Sequence, residues 1–327
     1  MKRKYLIIYH KEDNDGLFSM AINYVYLTCE DHYDATVEDT PIIDILGSDY
    51  NDLDKLDIYK DIIDKGYTNV ILTDISFDDM NKMKELYSYY KYNFCWIDHH
   101  QSSIDKSKEY GIEDIKGIRL SNHSALYNSF SYLYGFIGTV PTIFKILSAW
   151  DSWTYEQEHI NFDFCRYVNT GVSNYFKLDP KKIINFVKDI IYIYHAEDEQ
   201  CLDIVEYFRK SGKNICDYEE SRYSELIKNY GDFSWTVNNR SACVLFIQGP
   251  TSSLIFKSCK SKVKNGIIFK RFPDGNWGIS LYNTDNQHDF HCGNYLKEHY
   301  NGGGHEGAAG AQISEKTFIK LLSNKKI

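Results

Sequence analysis

The stretch Trp96–Ser103, "WIDHHQSS", closes a short apolar run and turns at once into an aspartate and two adjacent histidines. The run that leads into it, Tyr92–Ile97 ("YNFCWI"), has the length and aromatic character of a buried strand. Two earlier runs read the same way, Tyr5–Tyr9 ("YLIIY") and Asn69–Thr73 ("NVILT"). Helical periodicity separates them, over Leu17–Leu27 and again over Asp79–Tyr90. Strands alternating with helices predict a parallel sheet, and such sheets bind ligands beyond the carboxyl ends of their strands. Asp98, His99 and His100 fall at such an end.

Working outward, three further segments place chemistry-bearing side chains at element ends. "HKEDNDG" follows the first strand and offers His10, Asp13 and Asp15 before Gly16. "ILTDIS" puts Asp74 directly after the second. "AWDSW" puts Asp151 at the end of a helix that begins near Pro141, where a carboxylate opposes the helix dipole and calls for a compensating cation. Read singly, the first segment is sooner an acidic turn and the second sooner a helix cap. Read together, the imidazoles and carboxylates suit a pair of divalent metals with one aspartate shared between them. A serine nucleophile explains less: there is no G-x-S-x-G elbow, and Asp98, His99 and Ser102 lie too close in one loop to act as orienter, base and nucleophile.

Composition narrows the class. With 327 residues the chain can bury two cores, and 43% hydrophobic with 25% charged residues is ordinary for a soluble protein. A net charge of −9 argues against a broad basic face for long nucleic acid but leaves room for a small phosphorylated ligand. The eight cysteines form no C-x-x-C pair, which suits free thiols in a reducing compartment. The opening "MKRKYLIIYHKED" is too short in its apolar run for a signal peptide or a membrane span, so a cytoplasmic location is expected. The 28 tyrosines are read as packing and partly wet surface.

Farther along, Pro180–Tyr230 is helical throughout, and "ACVLFIQ" and "GIIFKRFPDGNWGISLYN" return to strands, the latter a hairpin turning at Pro273–Asn276. A helix near Phe290–Tyr300, the run "NGGGHEGAAGAQI" and a closing strand and helix complete a second α/β unit. Glycines of such a run let the backbone approach a ligand and form an anion nest; a flexible turn is the plainer reading. The expected fold is α/β: a parallel-sheet catalytic domain over residues 1–155, a helical connector over 156–235 and a smaller α/β substrate-binding domain over 236–327, with the active site in the cleft between.

Taken in order, "HKEDNDG", "LTDIS", "DHH", "PTIFKILSAWDSW" and "GGGHEGAAG" resemble the motifs of the DHH phosphoesterase superfamily with its DHH-associated C-terminal domain, the group that includes oligoribonuclease-like nano-RNases. The resemblance spans nearly the whole chain. It implies that His10 and Asp13 hold one metal, that Asp15, His99 and Asp151 hold the other, and that Asp74 bridges them. It assigns Asp74, Asp98, His99 and His100 to catalysis, with Asp98 orienting the histidine pair. His100, Gly302, Gly303, Gly304 and His305 are expected to hold the substrate phosphate. Many relatives carry an arginine in the strand before the glycine loop, where this chain has Tyr282; Lys270 or Arg271 are the available substitutes.

The resemblance implies a hydrolase that cuts phosphodiester bonds of short oligonucleotides with two Mn²⁺ ions, Mg²⁺ or Co²⁺ being substitutes. Within the family a bisphosphonucleotide phosphatase and a cyclic dinucleotide phosphodiesterase stay open, and outside it a nucleotide-binding module without turnover. The expected partners are a small nucleotide, neither membrane nor long duplex DNA, and a second copy of the chain is allowed.

Overall fold

The computed structural model describes residues 2–28, 41–135, 139–194, 198–249, 253–259, 262–284, 290–304 and 306–327. The chain divides into two compact units, Met1–Ile215 and Cys216–Ile327. In the first, β1 (Lys4–His10) leads into α1 (Asn14–Thr28), and β2 (Ile42–Ser48) follows. After the short α2 (Tyr50–Leu53) come β3 (Asn69–Thr73), α3 (Met80–Tyr90) and β4 (Phe94–Ile97). The sheet order is β2-β1-β3-β4 and every pairing is parallel, as the alternation of strands and helices predicts.

Side chains of β1 alternate between two cores, because successive residues of a strand face opposite sides. Tyr5, Ile7 and Tyr9 join a core built on α1, α5 (Ala125–Tyr134), α6 (Thr142–Asp151), α7 (Phe162–Phe176) and α8 (Pro180–Tyr194). Leu6 and Ile8 join the core on the other face, with Met80, Met83 and Leu86 of α3 and with Phe94 and Trp96 of β4. Both faces of a parallel sheet are thereby covered, which is why its strands read as continuous apolar runs.

Besides the short α2, three elements of this unit lay outside the sequence expectation. β2 is an edge strand whose residues are mostly half-exposed or exposed, so "IIDILGS" lacks the buried signature of its neighbours. The helix α4 (Gln101–Glu109), which starts directly after the DHH triplet, is strongly polar, and α5 has a mixed "ALYNSFSYLY" pattern.

In the second unit, the long α9 (Asp198–Tyr230), which crosses the boundary, precedes β5 (Asp232–Val237) and β6 (Arg240–Phe246). The hairpin β7 (Asn265–Arg271) and β8 (Trp277–Asn283) follows, then α10 (Cys292–Tyr300), the two-residue β9 (Gly303–Gly304), β10 (Ala308–Ile313) and α11 (Glu315–Asn324). The sheet order is β5-β6-β7-β8-β10-β9, mixed because only β6 and β7 run parallel. β5 ("DFSWTV") was not expected; its first half is largely exposed. Among the described residues no helix is long and apolar enough to cross a membrane.

Candidate metal centre

Strand register brings the sequence-predicted side chains together. Tyr9 pairs with Thr73, and Thr73 with Ile97, so the residues one step on, His10, Asp74 and Asp98, emerge side by side at the carboxyl edge. The turn from β1 into α1 is tight. A Cβ on Gly16 would lie 2.0 Å from the His10 carbonyl oxygen, so only glycine lets the helix start this close to the strand end. Asp13 fixes the same turn by accepting the Gly16 N–H at 2.9 Å.

The imidazole Nδ1 of His10 lies 2.8 Å from Asp13 and 3.7 Å from Asp74. His99 Nε2 lies 3.6 Å from Asp15, 3.3 Å from Asp74 and 3.2 Å from Asp151. Two groups with metal-ligating geometry result, His10–Asp13–Asp74 and Asp15–His99–Asp151, and a third, Asp74–His99–His100, ties Asp74 to both histidines of the triplet. Asp151 comes from the last residue of α6, so its carboxylate meets the negative end of that helix as well as its neighbours.

The donor set fits divalent cations. Asp74 is 1% exposed, and its Oδ1 has no hydrogen-bond partner among the described residues. A buried carboxylate oxygen left unpartnered is costly unless a cation meets it. Burial, then the charge of Asp15, raises the Asp74 carboxyl well above the ordinary range. Asp151 is raised well above it in the same way, by burial and by Asp15 and Asp74. Burial opposes protonation of His10, but hydrogen bonds to Asp13 and Asp74 outweigh it and push the imidazole up to about 10. Burial likewise works against the Asp13 anion, yet His10 beside it holds that carboxyl below its usual value. Crowded acids that hold protons and imidazoles that hold charge are what oxygen and nitrogen ligands look like before a metal displaces the protons. Asp74 also adopts a positive φ of 58°, a conformation uncommon outside glycine and found where a site dictates the backbone.

Asp15 reaches farther than its position in the motif reveals. Its two carboxylate oxygens accept the N–H groups of Ala125 and Leu126, each at 2.8 Å, at the start of α5. A helix N-terminus thus partly balances this carboxylate, and nothing in the local sequence of α5 announces it.

Asp98 is fully buried and does not join the ligand groups. Its Oδ1 accepts the His99 N–H at 2.7 Å and the His100 N–H at 3.1 Å and lies 2.7 Å from His100 Nδ1; its Oδ2 accepts from the Trp96 indole at 3.1 Å. The backbone turns at His100 into α4, and the two imidazoles stay side by side, with centroids 4.4 Å apart and ring planes tilted by 51°. Burial would raise the Asp98 carboxyl, but its hydrogen bond from His100 lowers it, and in return raises the His100 imidazole against its own burial.

Sequence reasoning missed Tyr50. Its hydroxyl lies 3.2 Å from His100 Nε2 and 3.4 Å from Nδ1, and its ring meets both His10 and His100, with centroids 5.5 and 5.8 Å apart. Tyr50 arrives through the pairing of His10 with Ser48 on the unrecognised β2, two residues upstream. One tyrosine among 28 gives no sequence signal without that strand.

In the second unit Gly303 and Gly304 pair with Gly310 and Ala309, a strand where an open loop was the expectation. Gly304 has φ 144°, and a Cβ there would lie 2.5 Å from the Ala308 oxygen. Gly302 precedes this pair, and its N–H donates to the Leu296 carbonyl at 3.0 Å. His305 lies outside the described residues. Tyr282 turns its ring to Phe256, 5.9 Å between centroids, and Arg271 donates to Glu315 at 3.3 Å.

No family model matches the chain, and no curated protein does. Solved structures are similar. The pGpG-specific phosphodiesterase PggH from Vibrio cholerae superposes over 99% of this chain and 97% of its own, with a TM-score of 0.52 and 15% identity. The DHH domain of a member of a family of ribosomal proteins covers 99% of this chain and 85% of its own, with a TM-score of 0.61 and 14% identity. At these identities the likeness is one of fold, and on that fold "HKEDNDG", "LTDIS" and "DHH" fall at one sheet edge of the first unit. By fold, the chain is similar to these two structures, one of which is a DHH domain.

Proposed function

We propose that the protein is a metal-dependent phosphoesterase that hydrolyses phosphodiester bonds in short oligonucleotides. The observation that carries this reading is Asp74: a buried aspartate with an unpartnered oxygen, between two sets of side chains that each have ligand geometry. His10 and Asp13 would hold one divalent cation, Asp15, His99 and Asp151 the other, and Asp74 both. Two such ions, Mn²⁺ first among them, supply Lewis-acid polarisation of a phosphoryl group and favour a water nucleophile near neutral pH.

The chain's own residues do the rest. Asp98 accepts from Nδ1 of His100 and favours the imidazolium form, whose Nε2–H would donate to a phosphoryl oxygen as negative charge builds on it. Buried Trp96 fixes the second oxygen of Asp98, so the orienting carboxylate cannot swing. Gly302, Gly303, Gly304 and His305 are assigned to phosphate binding on the family resemblance. The neighbour whose name specifies pGpG makes a linear 5′-phosphorylated dinucleotide the first substrate to try.

The test is a panel with Mn²⁺: a 5′-phosphorylated dinucleotide, a longer oligomer, 3′-phosphoadenosine 5′-phosphate, a cyclic dinucleotide and pyrophosphate. The linear dinucleotide is expected to be cut fastest. Turnover of pyrophosphate alone would overturn the diesterase reading, and Mn²⁺ binding without any product would make the protein a nucleotide-binding module.

A further inference from the structure

Beside the ligand set lies a cavity of about 240 Å³ lined partly by motif residues and partly by side chains outside the motifs. Asp13, Asp15 and Asp151 border it on the metal side, and Trp150, Asn169, Ser173 and Leu178 form the wall away from it. By volume it equals about eight waters at roughly 30 Å³ each, the scale of a single ring system and too small for a dinucleotide. Its wall is built from the start of α1, from α6 and α7 and from the residues just after α7, all within the first unit.

Two features say what it would hold. The first is Asn14, which belongs to the wall and is 7% exposed. Its amide N–H groups donate to Asn169 Oδ1 and Ser173 Oγ, each at 2.8 Å, so the orientation of the side chain is fixed. Its Oδ1 is buried and has no hydrogen-bond partner among the described residues. A buried acceptor left unpaired is costly, and a ligand N–H reaching this part of the wall would relieve it. The second is charge. No lysine or arginine is among the described residues lining the cavity, whereas Glu12 adds a carboxylate beyond the metal ligands. The adjacent Lys11 is drawn to Asp49 and Asp52, 3.5 Å from each. Even with the other carboxylates neutralised by cations, the wall repels a second phosphate. Trp150 also lines the cavity and stacks on Trp153, with centroids 6.1 Å apart and a 24° interplanar angle, and Trp153 itself is 65% exposed.

We infer that this cavity is a nucleobase subsite, which takes the uncharged, planar, N–H-bearing end of the substrate and turns away polyphosphate chains. The inference rests on the phosphoesterase reading, because the phosphate must be anchored at the neighbouring ligand set for a base to reach the cavity.

The experiment is equilibrium binding to the Mn²⁺-loaded full-length chain, followed by tryptophan fluorescence, with guanosine and adenosine 5′-monophosphates, ribose 5-phosphate and pyrophosphate as probes. At least one nucleotide is expected to bind about tenfold or more tighter than ribose 5-phosphate, the scale of one base stacked on an aromatic side chain. Ser173→Phe, which fills the cavity, should bring that ratio to about one. The milder Leu178→Lys, at an exposed position, should lower the ratio and favour pyrophosphate. Equal binding of nucleotides and ribose 5-phosphate by the unaltered protein, or a ratio that neither variant moves, overturns the subsite while leaving the phosphoesterase standing. Bound Mn²⁺ with no affinity for any of the phosphates overturns both.

Discussion

Asp98 Oδ1 and His100 Nδ1 stand 2.7 Å apart, and the same oxygen takes the backbone N–H groups of His99 and His100. One buried carboxylate oxygen therefore sets the tautomer of one imidazole and the backbone that launches both. Asp98→Asn keeps the shape but removes the charge that holds the proton on Nδ1. Turnover is expected to fall by about 10–100-fold, the usual cost of losing a partner that orients a site residue. Mn²⁺ affinity should change much less, since Asp98 is not among the ligand groups. Equal losses in Mn²⁺ affinity and turnover would show Asp98 to be a ligand instead.

The two histidines of the triplet separate by role. His99 Nε2 is within 3.6 Å of three carboxylates, whereas the nearest carboxylate to His100 is Asp98, which is not one of the ligand carboxylates. His99→Ala should weaken Mn²⁺ binding measured by calorimetry. His100→Ala should leave binding close to that of the unaltered protein and lower turnover instead, by about 10²-fold or more if it donates to the developing charge. The reverse pattern would exchange the two assignments.

How far these roles could be read from sequence depends on where each residue gets its neighbours. His10, Asp74 and Asp98 were legible because each ends a buried apolar strand, and parallel register does the rest. Tyr50 was not, because its approach depends on an edge strand with few buried side chains and therefore little apolar signature. The Asp15 carboxylate was legible as a site residue but its contact with α5, 110 positions away, was not. Asn14 reads as a spacer between two aspartates, and only the packing of α7 against α1 gives it Asn169 and Ser173. Strand ends are written locally, while partners brought by helix packing are not.

The titration of the site gives stability a sign. Asp74 and Asp151 hold protons more tightly in the fold than in the unfolded chain, and so does His10, at about 10 against 6.5. A group with a raised folded value contributes stability below its unfolded value and loses it as pH rises through the folded one. Asp13 and Asp98 are lowered, so their contributions are complete above the ordinary carboxylate range and lost only in acid. Without metal, the thermal midpoint should therefore decline between about pH 6.5 and 10, the window of His10. Mn²⁺ displaces these protons, so its affinity and its stabilisation should both grow with pH. Midpoints measured in chelator and in excess Mn²⁺ check this; a midpoint in chelator that climbs steadily from about pH 6.5 to 9 would contradict it.

Gly16 is a backbone test of the same site. A methyl at this position would lie 2.0 Å from the His10 carbonyl oxygen and 2.8 Å from its Cβ. Gly16→Ala must push α1 from the end of β1, at a cost on the order of 3 kcal/mol. Because Asp13 and Asp15 lie on that turn, Mn²⁺ affinity should fall with stability. An alanine variant with unchanged denaturation midpoint and Mn²⁺ binding would show the turn to be less constrained than the geometry requires.

Tyr50 is the sharpest case, because one atom can be removed while the ring stays. Its hydroxyl is 3.2 Å from Nε2 and 3.4 Å from Nδ1 of His100, whose Nδ1 also meets Asp98, and the two rings cross at 82°. Asp98 and Tyr50 together confine the imidazole from two sides and keep it from turning about its Cβ–Cγ bond. Tyr50→Phe retains the ring contacts with His10 and His100, so stability should change by about 1 kcal/mol or less. The loss should appear in kcat, with KM nearly constant, and the ¹⁵N resonances of the metal-free imidazole should shift towards a mixture of tautomers. If the hydroxyl only fills space, neither the resonances nor the split between kcat and KM will move, and leucine at this position will behave no worse than phenylalanine.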